Sequence, residues 1–307
     1  MSSETMKAAP AHATRWLDLT AIVVCTLAWG TTWFAITLQF GLVDPVVSIV
    51  YRFALAAALL FIWCGLTGAK ISMTHSQHLA AFGVGLFNFA INYTLVYWAE
   101  QRVVSAIVAV TFAAMAFINL IVFRIAFGQR APAMAWGAAL LGVLGVAILS
   151  WNEIARADMG AQAKVGIAMT LVGVVSASLS NVAARRGEMA GAGVAASTAW
   201  AMAYGTMLLG VFALITGKTW NFSFTPGYML SLLHLALVGS VIAFLLYYGL
   251  ARRRGYAAAS YVSALTPPLA MLMSTLFEHR TWQATALVGI ALILAGQAML
   301  MRSRKPA

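Results

Sequence analysis

Ten apolar runs, each about 20 residues long and nearly free of charge, follow one another along this chain. They fall at roughly 17–39, 45–67, 78–99, 103–124, 132–151, 165–186, 193–217, 227–250, 256–277 and 281–301. A helix of about 20 apolar residues crosses the hydrocarbon core of a bilayer. In lipid every backbone N–H and C=O needs an internal partner, which leaves helices or closed barrels. Barrel strands alternate apolar and polar residues, and these runs do not. Composition agrees, with 62% apolar and 9% charged residues, against about half and about a quarter in soluble domains. The expectation is an all-α membrane protein of ten transmembrane helices, with the lipid bilayer as its principal partner. The polar, Ala-rich residues 1–16 read as a disordered cytoplasmic N-terminus.

The formal net charge of +11 does not point to nucleic acid, because the basic residues are scattered among apolar spans and form no continuous patch. They read as topology signals. With the N-terminus placed in the cytoplasm, thirteen Lys and Arg residues fall in inside segments, five outside, and Arg52 lies within a span, which accounts for all 19. That bias predicts both termini inside. No obligate protein partner is evident.

The chain also repeats itself. Residues 83–150 and 235–301 run in near register, about 150 positions apart. Asn88 falls on Ser240, Asn92 on Phe244, Arg102 on Arg254, Thr111 on Ser263, Arg130 on Arg280 and Gly145 on Gly296. Two five-span halves, 17–151 and 165–301, must enter the membrane in opposite senses because five is odd. Transporters built this way place substrate near the midplane between halves.

Trp29-Gly30 sits midway along the first span and Arg52-Phe53 early in the second. Each half ends on a small-residue helix, a short polar turn (Gly128-Gln129-Arg130; Glu278-His279-Arg280) and a helix with spaced glycines (Gly137, Gly142, Gly145; Gly289, Gly296). This order resembles the drug/metabolite transporter superfamily in its ten-helix EamA-type branch, over nearly the whole chain. Overall similarity is greatest to the YddG-type aromatic amino acid exporters. The resemblance implies a basket of ten helices around a central cavity, in the bacterial inner membrane, with aromatic amino acids as cargo.

Polar groups in lipid usually face a bundle interior or a wet cavity. Asn88 and Asn92 are four apart and share a helix face; the repeat sets Ser240 and Phe244 opposite them. Two carboxamides facing a hydroxyl and a ring suit a zwitterion with an aromatic tail, though such groups also join membrane helices. Trp29, Trp200 and Phe244 lie away from the span ends where belt aromatics sit, and span eight continues with Tyr247, whereas Tyr97, Trp98 and Trp220 fit the belt. Thr111 and Met115 form a stripe on span four, with Ser263 and Pro267 as their counterparts. Pro267 and Pro268 each remove a helical N–H and crowd a carbonyl one turn back. They mark either a hinge or a static kink satisfied by the Ser263 and Thr266 hydroxyls, and span four has no proline to match. Arg52 is the charge partner to be placed: it reaches outward, pairs with Glu100 or Glu278, or binds a substrate carboxylate.

No carboxylate lies near the middle of any span. Proton-coupled pumps usually carry one there, so facilitated diffusion by alternating access is expected. Gly217-Lys218-Thr219 imitates a phosphate-binding loop but lacks its first glycine and its strand, so no nucleotide or other cofactor is implied. Cys25 and Cys64 lie inside apolar spans as buried thiols. The alternatives are the same fold moving another metabolite or a cationic drug, with or without protons, and an intramembrane enzyme. For the latter, His75 and His78 in an inside loop have no acid or cysteine nearby.

Overall fold

The computed structural model describes residues 11–155, 161–277 and 284–302. In chain order the helices are α1 (Ala11–Thr37), α2 (Pro45–Thr67), α3 (His75–Glu100), α4 (Ser105–Phe127), α5 (Ala133–Ala155) and α6 (Ala161–Met189). They continue as α7 (Val194–Ile215), α8 (Pro226–Arg254), α9 (Tyr256–Ala259), α10 (Tyr261–Phe277) and α11 (Ala284–Arg302). No strand occurs among the described residues. Seven of these helices, α1–α4 and α6–α8, are long and apolar enough to span a membrane. The apolar stretches described in α5, α10 and α11 are shorter: Ala133–Gly145, Leu265–Phe277 and Leu287–Gly296. Large apolar side chains such as Ile125, Leu214 and Ile215 point outward, a surface that lipid rather than water covers. α1 begins at Ala11, inside the stretch expected to be disordered; residues 1–10 lie outside the described residues.

Local chemistry sets the helix ends. Asp44 accepts a hydrogen bond from the Val46 amide at 2.9 Å, with Pro45 opening α2, a favourable N-cap arrangement. Gly68 ends α2 at φ 68°, where only glycine avoids a Cβ penalty. Thr74 and Gln77 form a capping box at the start of α3. His75 and His78 therefore belong to a helix and not to a loop.

The helices of the two expected halves interleave. α5 packs on α11, α2 on α7, α1 on α10 and α8, and α3 on α6 and α7. The α5–α11 pair is held close by absent side chains. A methyl on Gly145 would lie 2.6 Å from the Gly289 carbonyl oxygen, and one on Gly296 2.5 Å from that of Ala138. The two contacts are reciprocal, because the same register offset carries Gly145 to Gly296 and Ala138 to Gly289.

Two kinds of irregularity interrupt the helices, and the first recurs at overlapping register positions. α3 widens into a π segment at Gly85–Asn92, and α8 does so at His234–Ile242. Such segments are rare and favour functional sites. α4 tightens into a 3₁₀ turn at Phe112–Ala114, just after Thr111. The expected contrast between spans four and nine is thus the reverse of what is found. α10 stays helical through Pro267 and Pro268, and the discontinuity near it falls at Ser260, before the prolines. The reason is local: the Thr266 hydroxyl donates to the Ser263 carbonyl at 2.9 Å, supplying the bond that Pro267 cannot make.

Candidate functional site

A cavity with about 660 Å³ of atom-free space, part of it continuous with solvent, lies between α1, α3, α4, α6, α8 and α10. Among the described residues, no Asp, Glu, Lys, Arg or His lines it.

One wall is aromatic. The Trp29 ring lies 5.3 Å from both Phe244 and Tyr247, edge-on to the first. Phe244 also meets Phe89 at 5.0 Å and stacks on Tyr248 at 5.8 Å. The Trp29 indole N–H donates to the Gly239 carbonyl at 3.1 Å. That bond ties α1 to the π segment of α8 and fixes the ring's plane.

The other wall carries amides. Asn92 Nδ2 donates to Asn88 Oδ1 at 3.2 Å, while Asn92 Oδ1 is buried with no donor. The wide turn of the π segment keeps these two residues on one face. Asn181, on α6, accepts from the Tyr247 hydroxyl at 3.3 Å and donates to Asn119 Oδ1 at 3.4 Å. Asn119 in turn donates to Ser260. This chain joins α8, α6, α4 and the junction before α10. Buried polar groups of this kind are kept when all are satisfied, and they fix one arrangement of the helices.

Seven of the residues picked from sequence come together here: Trp29, Asn88, Asn92, Met115, Phe244, Tyr247 and Ser263. Ser263 donates to the Met115 sulfur at 3.7 Å, so the stripe on α4 does meet its counterpart on α10. Three lie elsewhere. Thr111 is buried and returns its hydroxyl to the Ile107 carbonyl at 2.8 Å. Ser240 is fully buried behind the wall, accepting from Arg52 Nε at 3.0 Å and donating to the Leu235 carbonyl at 2.8 Å. Trp200 belongs to a separate packed cluster with His78, Tyr204 and Phe61, and its indole N–H donates to the Ile71 carbonyl at 3.1 Å. His78 accepts or donates to the Tyr204 hydroxyl at 2.9 Å, so it is a packing residue and not a solvated one. Tyr97, expected at the interface, is fully buried and donates to Gln39 at 3.2 Å.

Asn181 is the main residue the sequence reading missed. It is a lone amide in an apolar span, a usable signal, but it falls outside the stretch where the repeat could be aligned. Tyr248, Tyr93, Trp33 and Thr266 also line the cavity. Pro267 stands one residue beyond Thr266, beside the cavity and not in its lining.

Arg52 is fully buried. Its guanidinium lies 4.6 Å from the Tyr93 ring centre and 5.2 Å from that of Phe53. Nη2 approaches the Tyr93 hydroxyl at 3.5 Å, and Nη1 has no partner. Among the described residues no carboxylate pairs with it; Glu278, one of the partners expected from sequence, lies outside the described residues.

A multi-pass helical bundle around a central cavity whose described lining carries no charge is the architecture of a membrane carrier for a small molecule. The chain belongs to the EamA-like transporter family, whose model matches it twice, at residues 16–151 and 164–302. The uncharacterized inner membrane transporter YedA of Escherichia coli is 26% identical over 293 residues, covering 93% of this chain and 92% of that one. Protein PagO of Salmonella typhimurium is 30% identical over 112 residues, covering 36% of this chain and 37% of its own. A crystal structure at 18% identity superposes with a TM-score of 0.73, covering 97% of this chain and all of that one; this likeness is one of fold.

Proposed function

We propose that the protein exports aromatic amino acids across the bacterial inner membrane, as YddG-type exporters do, by alternating access and without ion coupling. The observation that carries this reading is the cavity lining. Three carboxamides, Asn88, Asn92 and Asn181, face a wall built from Trp29, Phe244, Tyr247 and Tyr248. Amides bind ammonium and carboxylate groups, and rings stack on an aromatic tail at little cost in order. The absence of any acid in the lining supports facilitated movement over a proton relay.

Ten spans in two inverted five-helix halves, both termini cytoplasmic, complete the proposal. The double family match, the paired π segments of α3 and α8, and the reciprocal glycine contacts of α5 and α11 all favour it. The name given to YedA supports the inner membrane as the location.

Competition in proteoliposomes tests the cargo. Uptake of labelled phenylalanine should fall with unlabelled tryptophan and tyrosine, and not with alanine, lysine or a quaternary ammonium dye. Competition by the dye alone would replace this reading with a cationic cargo held in an aromatic cage.

A further inference from the structure

We infer that Arg52, one layer behind the cavity wall, makes the site selective for cargo that carries a carboxylate, with Tyr93 as the contact through which it acts. The inference rests on the transport reading above.

A guanidinium without a counter-charge is costly inside a bilayer. Arg52 sits there with its whole side chain buried and Nη1 unpaired, and no carboxylate among the described residues lies within 4.0 Å ion-pair distance of it. What surrounds it is two aromatic faces and the hydroxyls of Ser240, Tyr93 and Tyr97. None of these groups carries a formal negative charge.

That charge acts on the cavity because Tyr93 belongs to both places. Its ring covers the guanidinium at 4.6 Å and also lines the cavity beside Asn92 and Phe244. The Tyr93 hydroxyl accepts from Arg52 at 3.5 Å, and no acceptor for its own proton occurs among the described residues. A phenol whose oxygen is held by a cation is a better donor, and an anion is the acceptor it suits best. Among the described residues, the lining holds no acid to cancel the field and no cation to share the role. Behind a wall of buried aromatic side chains a charge is less screened than in bulk water, so it discriminates between anionic and cationic groups at this range. The cargo's carboxylate is therefore expected on the Tyr93 side, with its aromatic tail toward Trp29 and Phe244. Arg52 is a positioning residue in this arrangement, since it reaches the cargo through Tyr93.

The test compares three compounds that share one ring: phenylalanine, phenylpropionate and phenethylamine. Each is measured by transport into proteoliposomes of the full chain, for the parent protein and for R52K, R52Q and Y93F. The parent is expected to prefer the two carboxylates over the amine by at least tenfold in KM. R52Q should raise the KM for both carboxylates about tenfold or more and bring the ratio toward one, R52K should restore most of the preference, and Y93F should weaken it. An R52Q protein that elutes and melts like the parent yet keeps the parent's ratio overturns the inference. So does an E278Q protein that loses the ratio just as R52Q does, which would make Arg52 half of an ion pair. Phenylalanine transport with a ratio unaffected by Arg52 leaves the export reading standing. Preference for non-aromatic carboxylates in the parent, lost in R52Q, would instead sink the aromatic reading and keep the role of Arg52.

Discussion

Trp29 on α1 donates its indole N–H to the carbonyl of Gly239 at 3.1 Å, inside the π segment of α8. The widened helix leaves a carbonyl open to a side chain, and the side chain uses it to hold a ring against the cavity. Two substitutions separate the bond from the surface. W29F keeps a ring and removes the donor, a loss of about 1 kcal/mol, and should lower phenylalanine affinity roughly fivefold. W29A removes the stacking face too and should cut transport much further. Initial rates in proteoliposomes at matched protein density decide it; equal rates in both variants would take Trp29 out of the site.

Asn181 should matter for stability as well as for cargo. N181A leaves the Tyr247 hydroxyl and the Asn119 carboxamide without their present partners. Each buried group left unsatisfied costs about 1–3 kcal/mol. A lower melting temperature in detergent, together with a raised KM, is expected. N92A should differ in degree: Asn92 Oδ1 already lacks a donor, so the variant strands a single acceptor, Asn88 Oδ1, and should lose affinity with a smaller drop in melting temperature than N181A.

The prolines of α10 are open to the same separation. T266V removes the hydroxyl that serves the Ser263 carbonyl at 2.9 Å and should destabilise the protein by about 1–2 kcal/mol. P267A with P268A restores two helical donors and should leave folding intact. If α10 moves during transport, that double variant slows turnover with little change in KM. Parent-like turnover would make the prolines a static feature.

Gly296 admits no side chain against the Ala138 carbonyl at 2.5 Å. G296L should separate α5 from α11 and reduce the amount of monodisperse protein recovered, and G145L should do the same for the reciprocal reason. Size-exclusion profiles of fluorescent fusions would register either loss.

The apolar runs and the repeat made the helices and much of the cavity legible, because lipid forces periodic, continuous patterns onto a chain. Asn88, Asn92, Phe244 and Ser263 were reachable since polarity and register agree at those positions. The π and 3₁₀ segments were not, because a one-residue change in helical pitch leaves no mark in composition. Trp200 misled for a related reason. Depth in a span does not tell which face a residue presents, and this one turns toward His78 and Tyr204. Ser240 was found by register but serves Arg52 and not the cavity. Arg52 itself was visible as the single charge within a span, while the lack of an ion-paired carboxylate among the described residues needed coordinates.

Counterflow is the most direct test of the central claim. Proteoliposomes loaded with unlabelled phenylalanine, with no gradient of protons or other ions, are diluted into a trace of the labelled amino acid. Transient accumulation of label above equilibrium, unaltered when a pH gradient is imposed and diminished in N92A and W29A, is the predicted result. No accumulation without a proton gradient, or accumulation indifferent to both substitutions, would contradict the claim.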